Sequence, residues 1–290
     1  MRPDGKHVKD VDPMYTLAPY FMRTRNDAQN MITVKIPYEN IHKYVLGLRK
    51  RGIRVSHMAV VISAYIRMIC DYPCFNRFVV NSKIFARKTF SVGMVVLRPD
   101  EADPSMSKMN FDLESTIFEV NDTINNYVEE NNKADSENKS DKLFKTLVSF
   151  PPLVRILMAL FRGLDRFGLL PNKIIELSPF HNSMVFTNLA SIRTNHIYHH
   201  VYNFGTTSLI MAMGNMEDVP VKEKGEIVMK RMIPLGIVMD ERIASGCVYA
   251  KGFERLQHLL KYPEELEKKP ENITVDFPFP TLSKRFEKKK

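Results

Sequence analysis

Tryptophan is absent from the chain, and cysteine is scarce, with only Cys70, Cys74 and Cys247. Three thiols so placed exclude a disulfide framework and fit a reducing cytoplasm. No apolar run reaches the roughly 18 residues that a membrane-spanning helix needs. The first residues, Met1-Arg-Pro-Asp-Gly-Lys6, hold no apolar segment, so we expect no signal peptide. Acid is in deficit: 33 Asp and Glu stand against 42 Lys and Arg, a formal charge of +9. Such an excess suits an anionic partner, whether a CoA phosphate, a nucleic acid or an anionic membrane. The basic residues are scattered except at the end of the chain, however, so we expect a solvated basic surface and no nucleic-acid partner. What remains is ordinary for a globular protein: 290 residues, 44% hydrophobic and 26% charged, enough for one large domain or two small ones.

Residues 1–20 hold Pro3, Gly5, Pro13 and Pro19 among charges and read as an irregular arm. Met31 to Ile36 alternates as a strand does. Pro37 opens a helix through Leu48 and Arg49, which stops near Gly52. Ser56 suits the N-cap of an apolar helix from Met58 to Ile69, and Asp71-Tyr-Pro73 ends it because proline cannot continue a helix. Asn76 to Val80 and Ile84 to Phe90 read as a hairpin turning at Asn81-Ser82, and Ser91 to Leu97 as a further strand. Leu113 to Val128 reads as a helix. A polar run, Glu129 to Asp141, follows it, either as a helix end with a loop or as a mobile insert.

The stretch with the clearest pattern runs from Arg231 to Leu260. Met232 to Met239 is an apolar strand, Asp240-Glu241-Arg242 a polar turn, and Ser245-Gly246 the entry to a helix with Val248, Phe253, Leu256, Leu259 and Leu260 at helical spacing. Pro234-Leu235, Asp240, Arg242, Gly246 and Leu259-Leu260-Lys-Tyr-Pro263-Glu264-Glu265-Leu266 resemble the C-terminal signature of the chloramphenicol acetyltransferase-like superfamily, in particular the acyltransferase core of 2-oxo-acid dehydrogenase complexes. Three more segments match that family in order: Tyr72-Pro73-Cys74-Phe75-Asn76, Ser183 to Leu189, and Asn203 to Gly214.

The resemblance implies an α/β fold, a mixed sheet flanked by helices in two layers. It implies a core over residues 21–268, interrupted by an insert at about 129–171, with an arm at 1–20 and a tail at 269–290. It further implies a homotrimer with active sites between subunits, CoA or acyl-CoA as substrate, and no covalently bound cofactor. No lipoyl-like domain or Ala/Pro linker precedes the core, so we expect the bare catalytic fold, apart from a dehydrogenase complex.

In the resembled enzymes a histidine takes the proton of an acceptor hydroxyl or thiol, the acceptor attacks an acyl thioester, and a Ser or Thr hydroxyl steadies the oxyanion. Here Glu241 stands in the histidine's place, Thr187 in the hydroxyl's, and Ser245 in that of a loop-supporting aspartate. Gly246, Arg25 (or Arg23) and Asn188 match structural positions. An ordinary glutamate, with a pKa of about 4.3, is a poorer base at neutral pH than a histidine at about 6.5. The pattern therefore predicts activity that is altered or lost, in an acyl-thioester binder or in a non-catalytic trimeric scaffold. His199 and His200 (with His196) are the substitute bases within sequence reach. We identify no fourth ligand beside them and expect no metal. Cys247 opens a helix, but a small core residue is the simpler reading.

Pro151 to Pro171 is amphipathic, with Arg155, Arg162 and Arg166 opposite Ile156, Leu157, Leu160, Phe161 and Leu164. We expect it to pack on the core; a membrane surface or an acyl tunnel is the other use of such a face. The end, Lys284 to Lys290, reads as a disordered basic tail.

Overall fold

The computed structural model describes residues 2–9, 11–96, 105–132, 151–274 and 276. Helix α3 (His57–Asp71) runs through its middle. Ser56 starts it, its hydroxyl accepting from the Ala59 amide at 3.0 Å. Every residue from Ala59 to Cys70 is buried, as expected of a helix apolar all round. A 3-10 turn, Pro73–Asn76, follows and sets Phe75 edge-on to Tyr249 and Phe253, with ring centroids 5.1 and 5.9 Å apart.

Strands β3 (Arg77–Val80) and β4 (Lys83–Arg87) form the expected hairpin. Asn81 and Ser82, at φ 50° and 54°, are both left-handed, the geometry that a two-residue turn needs to match strand twist. The first residues are not an irregular arm. Strand β1 (Gly5–His7) pairs antiparallel with β4, and helix α1 spans Pro13–Phe21. Asp12 caps that helix through the Met14 amide at 2.8 Å, and Pro13 has the φ of a first helical turn.

The main sheet contains β2 (Gln29–Pro37), β5 (Phe90–Val96), β6 (Ser105–Phe111), β7 (Met184–Asn188), β8 (Leu209–Met213), β9 (Glu217–Glu223) and β10 (Glu226–Asp240). Its order is β2-β10-β8-β7-β5-β6, with β9 also on β10. Strand β7 is parallel to β5 and β8, and the other pairs are antiparallel. The sheet is thus mixed, as expected. The strand read at Met232 to Met239 is longer than expected: β10 begins at Glu226. Its first half pairs with β9, its second with β2 and β8.

Helices α2 (Tyr38–Lys50), α4 (Ile117–Asn132) and α7 (Gly246–Lys261) join α3 in a single apolar core with one face of the sheet. Helix α4 starts at Ile117, not Leu113. Thr116 forms a capping box there: its amide donates to Glu119 Oε2 at 2.7 Å.

The other sheet face is covered by an extended segment, 194–201, which lies flat on the strands. Val201 packs on Val185, Ile210 and Val238. The close approach requires two glycines. A Cβ on Gly214 would stand 2.3 Å from the His196 nitrogen, and one on Gly236 2.5 Å from the Ile197 carbonyl oxygen.

Helix α5 (Pro151–Phe167) departs from expectation. Only Asp165 is buried, while Leu153, Ile156 and Leu160 are 47%, 66% and 52% exposed. It is therefore not packed along the core among the described residues. Its anchor is ionic: Arg2 Nη2 donates to Asp165 Oδ1 at 2.6 Å, and Arg2 Nε donates to Asp4 Oδ1 at 2.9 Å. Helix α6 (Asn172–Leu177) follows. The polar run read at Glu129 to Asp141 begins as the end of α4, which reaches Asn132, and its remainder and the basic tail lie outside the described residues.

Candidate active site

The end of β10 holds Asp240, Glu241 and Arg242 in three different environments. Asp240 and Arg242 are buried and face each other. Arg242 Nε donates to Asp240 Oδ1 at 2.8 Å, its Nη2 to Oδ2 at 2.6 Å, and its Nη1 to the Met22 carbonyl at 3.0 Å. Tyr249, from α7, donates its hydroxyl to the Asp240 carbonyl at 2.7 Å. These bonds leave Glu241 at the tip of a braced turn. Its amide donates to the Ala28 carbonyl at 2.8 Å, and Asn30 Nδ2 donates to Glu241 Oε2 at 2.5 Å. The carboxylate faces a groove of about 320 Å³ between α1 and α7, walled by Met14, Tyr15, Phe21, Met22 and Tyr249.

Ser245 caps α7, its hydroxyl accepting from the Val248 amide at 3.2 Å. The hydroxyl carries no charge. Gly246 opens α7 with nothing near the place of a Cβ. Cys247 is exposed, not a small core residue. Of the two candidate arginines, Arg23 is exposed and Arg25 buried. Arg25 Nη2 donates to the Val79 carbonyl at 3.1 Å and its amide to Asn203 Oδ1 at 2.8 Å, while its Nε has no partner. Burial pushes its pKa down to about 10, although Asp240 works the other way.

Thr187 lies elsewhere. It pairs with Ala212, which pairs with Gly236 on β10. Glu241 follows Gly236 by five residues. At about 3.3 Å per residue that is about 16 Å along the strand. One chain therefore does not bring Thr187 and Glu241 together. Strand alternation puts Thr187 on the sheet face of Val185 and Asn188 on that of Phe186, the helix-covered face.

His199 and His200 sit on the segment that crosses the sheet. His199 Nδ1 lies 3.1 Å from the His200 carbonyl oxygen and its ring meets Tyr202. His196 Nε2 lies 3.1 Å from Thr33 Oγ1. None is bonded to Glu241. Among the described residues, no group of three or more His, Cys, Asp or Glu side chains could hold a metal ion. Asn30 escaped the sequence reading. Only the pairing of β2 with β10, which sets Asn30 opposite Met239, brings it to Glu241.

Residues 187–267 match the family model described as 2-oxoacid dehydrogenases acyltransferase (catalytic domain). No curated protein matches the chain in sequence. A probable dihydrolipoamide acetyltransferase from Listeria monocytogenes superimposes with a TM-score of 0.56 at 13% identity, covering 91% of this chain and 96% of that one. The cubic core of the pyruvate dehydrogenase multienzyme complex gives 0.57 at 13%, covering 87% and 88%. A chloramphenicol acetyltransferase gives 0.53 at 9%, covering 89% and 100%.

The chain has the chloramphenicol acetyltransferase-like fold. The family-model match runs from Thr187, at the end of β7, past Glu241 and through α7. It thus contains both ends of the candidate site.

Proposed function

We propose that the protein binds an acyl-CoA or another acyl thioester, with catalysis altered or lost because Glu241 replaces the family's histidine. The observation that carries this reading is Glu241 itself, on a turn still braced by Asp240 and Arg242 and facing a groove. A carboxylate there can accept a proton from a hydroxyl or thiol, but less readily at neutral pH than an imidazole. Thr187 supplies the oxyanion hydroxyl.

Because Thr187 and Glu241 stand apart in one chain, the reading pairs Glu241 of one subunit with Thr187 of the next in a homotrimer. A similar fold in a cubic core supports this, since threefold axes pass through the corners of a cube. Ile227 and Met229, 76% and 64% exposed on the outer half of β10, supply apolar surface for such an interface. The acting unit is 21–268 together with β1, which pairs with β4, and α1, which walls the groove, and 269–290 is a tail. Three free cysteines suit a cytoplasmic location.

One observation favours a second reading, a non-catalytic trimeric scaffold: buried Arg25 has an unpartnered Nε, and Ser245 supplies no charge to it.

The test is thermal shift and thiol release with a panel of acyl-CoAs. Native chain is compared with Glu241→Ala and with Glu241→His combined with Ser245→Asp. Release by the native chain that disappears in Glu241→Ala means a carboxylate base. Binding without release, and release only in the double variant, means lost chemistry on an intact site. No binding to any CoA leaves only the scaffold.

A further inference from the structure

Two helices present apolar sides to solvent. Helix α1 has no charged residue, and Met14, Leu17, Tyr20 and Phe21 are exposed on it, Phe21 at 76%. Helix α5 exposes Leu153, Ile156 and Leu160, and Phe167 ends it at 70%. Exposed apolar residues scattered singly are ordinary, but a group of them marks a contact surface.

One turn holds the two helices together. Ser82 Oγ donates to the Pro19 carbonyl of α1 at 3.3 Å, and Asn81 Oδ1 accepts from Arg166 Nε of α5 at 3.1 Å. Tyr20 follows Pro19 and Phe167 follows Arg166, so the exposed aromatic residues of both helices come to the same end of the β3–β4 hairpin.

The charge beside this apolar surface has one sign. Arg155, Arg162 and Arg166 are exposed on the other side of α5, Lys83 is exposed next to the turn, and Arg23 is exposed just after α1. The sole acid of α5, Asp165, is buried against Arg2 at 2.6 Å. An apolar side backed by arginines is the pattern of a helix lying in the interface of an anionic bilayer. A second copy docked symmetrically through the same face would set arginine against arginine, which is unfavourable. Among the described residues no helix is long and apolar enough to cross a membrane, so the contact is with its surface.

We propose that α1 and α5 together dock the chain on an anionic phospholipid membrane. Their apolar sides enter the boundary of the acyl chains, and the long arginine side chains reach the lipid phosphates. Helix α1 also walls the groove beside Glu241, so a docked chain holds that groove at the lipid surface. The docking does not depend on the acyl-thioester reading, and its test contains no CoA.

The test exploits the absence of tryptophan from the chain. Tyr20→Trp, Phe167→Trp and Tyr262→Trp each give the full chain a single reporter, the last at the far end of α7. The probes are vesicles of phosphatidylcholine, with or without phosphatidylglycerol, carrying brominated acyl chains. We expect phosphatidylglycerol vesicles to quench the reporters at 20 and 167, and to leave that at 262 unquenched. Pure phosphatidylcholine should bind at least about tenfold more weakly. Leu17→Asp with Tyr20→Asp, on α1 alone and outside the groove wall, and Ile156→Asp with Leu160→Asp, on α5 alone, should each lower flotation with phosphatidylglycerol vesicles about tenfold or more, with far-UV circular dichroism unchanged. Arg155→Gln with Arg162→Gln should weaken the same binding without changing that to phosphatidylcholine. Equal binding to both lipids, or a quenched reporter at only one of the two helices, would overturn the docking. So would variants that float as the native chain does, or variants that change the oligomeric state by light scattering while vesicle binding is unchanged; the latter would make this face an interface between copies.

Discussion

Asp240 and Arg242 make a two-pronged ion pair out of reach of water, with both carboxylate oxygens engaged at 2.8 and 2.6 Å. Removing one partner of a buried pair leaves a desolvated charge, worth about 3–5 kcal/mol. Asp240→Asn should therefore lower the unfolding free energy by about that amount, read by urea denaturation. Replacing both residues by leucine should cost about half as much or less, since the pair's charges leave together and buried Arg25 loses the attraction of Asp240 and the repulsion of Arg242 at once. Equal losses in the single and double variants would mean that the pair acts by packing alone.

Acid should weaken the chain in two stages. Burial alone would raise the Asp165 pKa, but His181 and Arg2 outweigh it and hold the carboxyl at about 2. An unfolded aspartate titrates near 3.9, so this contribution is complete above about pH 4 and is lost as pH falls towards 2. His181 is lowered by burial, against the pull of Asp165, whose Oδ1 lies 3.5 Å from its Nε2. Its neutral form favours the folded state above about pH 6.5, and stability falls below that as the unfolded histidine gains its proton. Thermal melts from pH 7 to pH 3 should show both losses, and Asp165→Asn should flatten the lower one.

Gly236→Ala and Gly214→Ala should each destabilise the fold by about 1–3 kcal/mol, because the new methyl meets backbone atoms of Ile197 or His196. Gly163→Ala, inside α5 with nothing within 4 Å of the new methyl, is the control. It should gain up to about 1 kcal/mol from helix propensity. Losses of equal size at all three positions would refute the crossing described here.

Helix α5 offers a direct test of membrane contact. Its Ile156 and Leu160 are exposed, and so are Arg155 and Arg162 on the opposite side of the helix. Contact through this helix requires co-sedimentation with phosphatidylglycerol vesicles. It also requires loss of that binding in Ile156→Asp with Leu160→Asp. Equal recovery of native and variant chain in the pellet would remove the reading.

What was legible in the sequence follows the range of each signal. The cap at Ser56, the turn at Asn81-Ser82 and the strand ending at Asp240 are written in neighbouring residues, and all are present. The mixed sheet was legible only through resemblance. Helix α1 was hidden by its own prolines, which read as breakers until Asp12 is seen capping at Pro13. The bonds that define the site were not legible. Asn30 reaches Glu241 across 211 positions and Arg2 reaches Asp165 across 163, and no local pattern encodes either. The outward-facing apolar stripe of α5 has the same periodicity as one turned inward, so spacing alone could not tell which way it faced.

Strand β10 has a consequence for how this chain can change. It is 15 residues long; it carries the β9 hairpin at one end and delivers the Asp240 turn at the other. Between them it is clamped on both sides over Leu235–Met239, by β2 and by β8. Side chains alternate along a strand, so one residue inserted within that clamped part would turn everything beyond it to the opposite face. Insertions are therefore absorbable in the outlying hairpin loop at Lys224–Gly225, whose residues already adopt left-handed φ, and not between there and Glu241. The outer hairpin is free to vary in length from one descendant sequence to another, while the distance from the clamp to the turn is fixed.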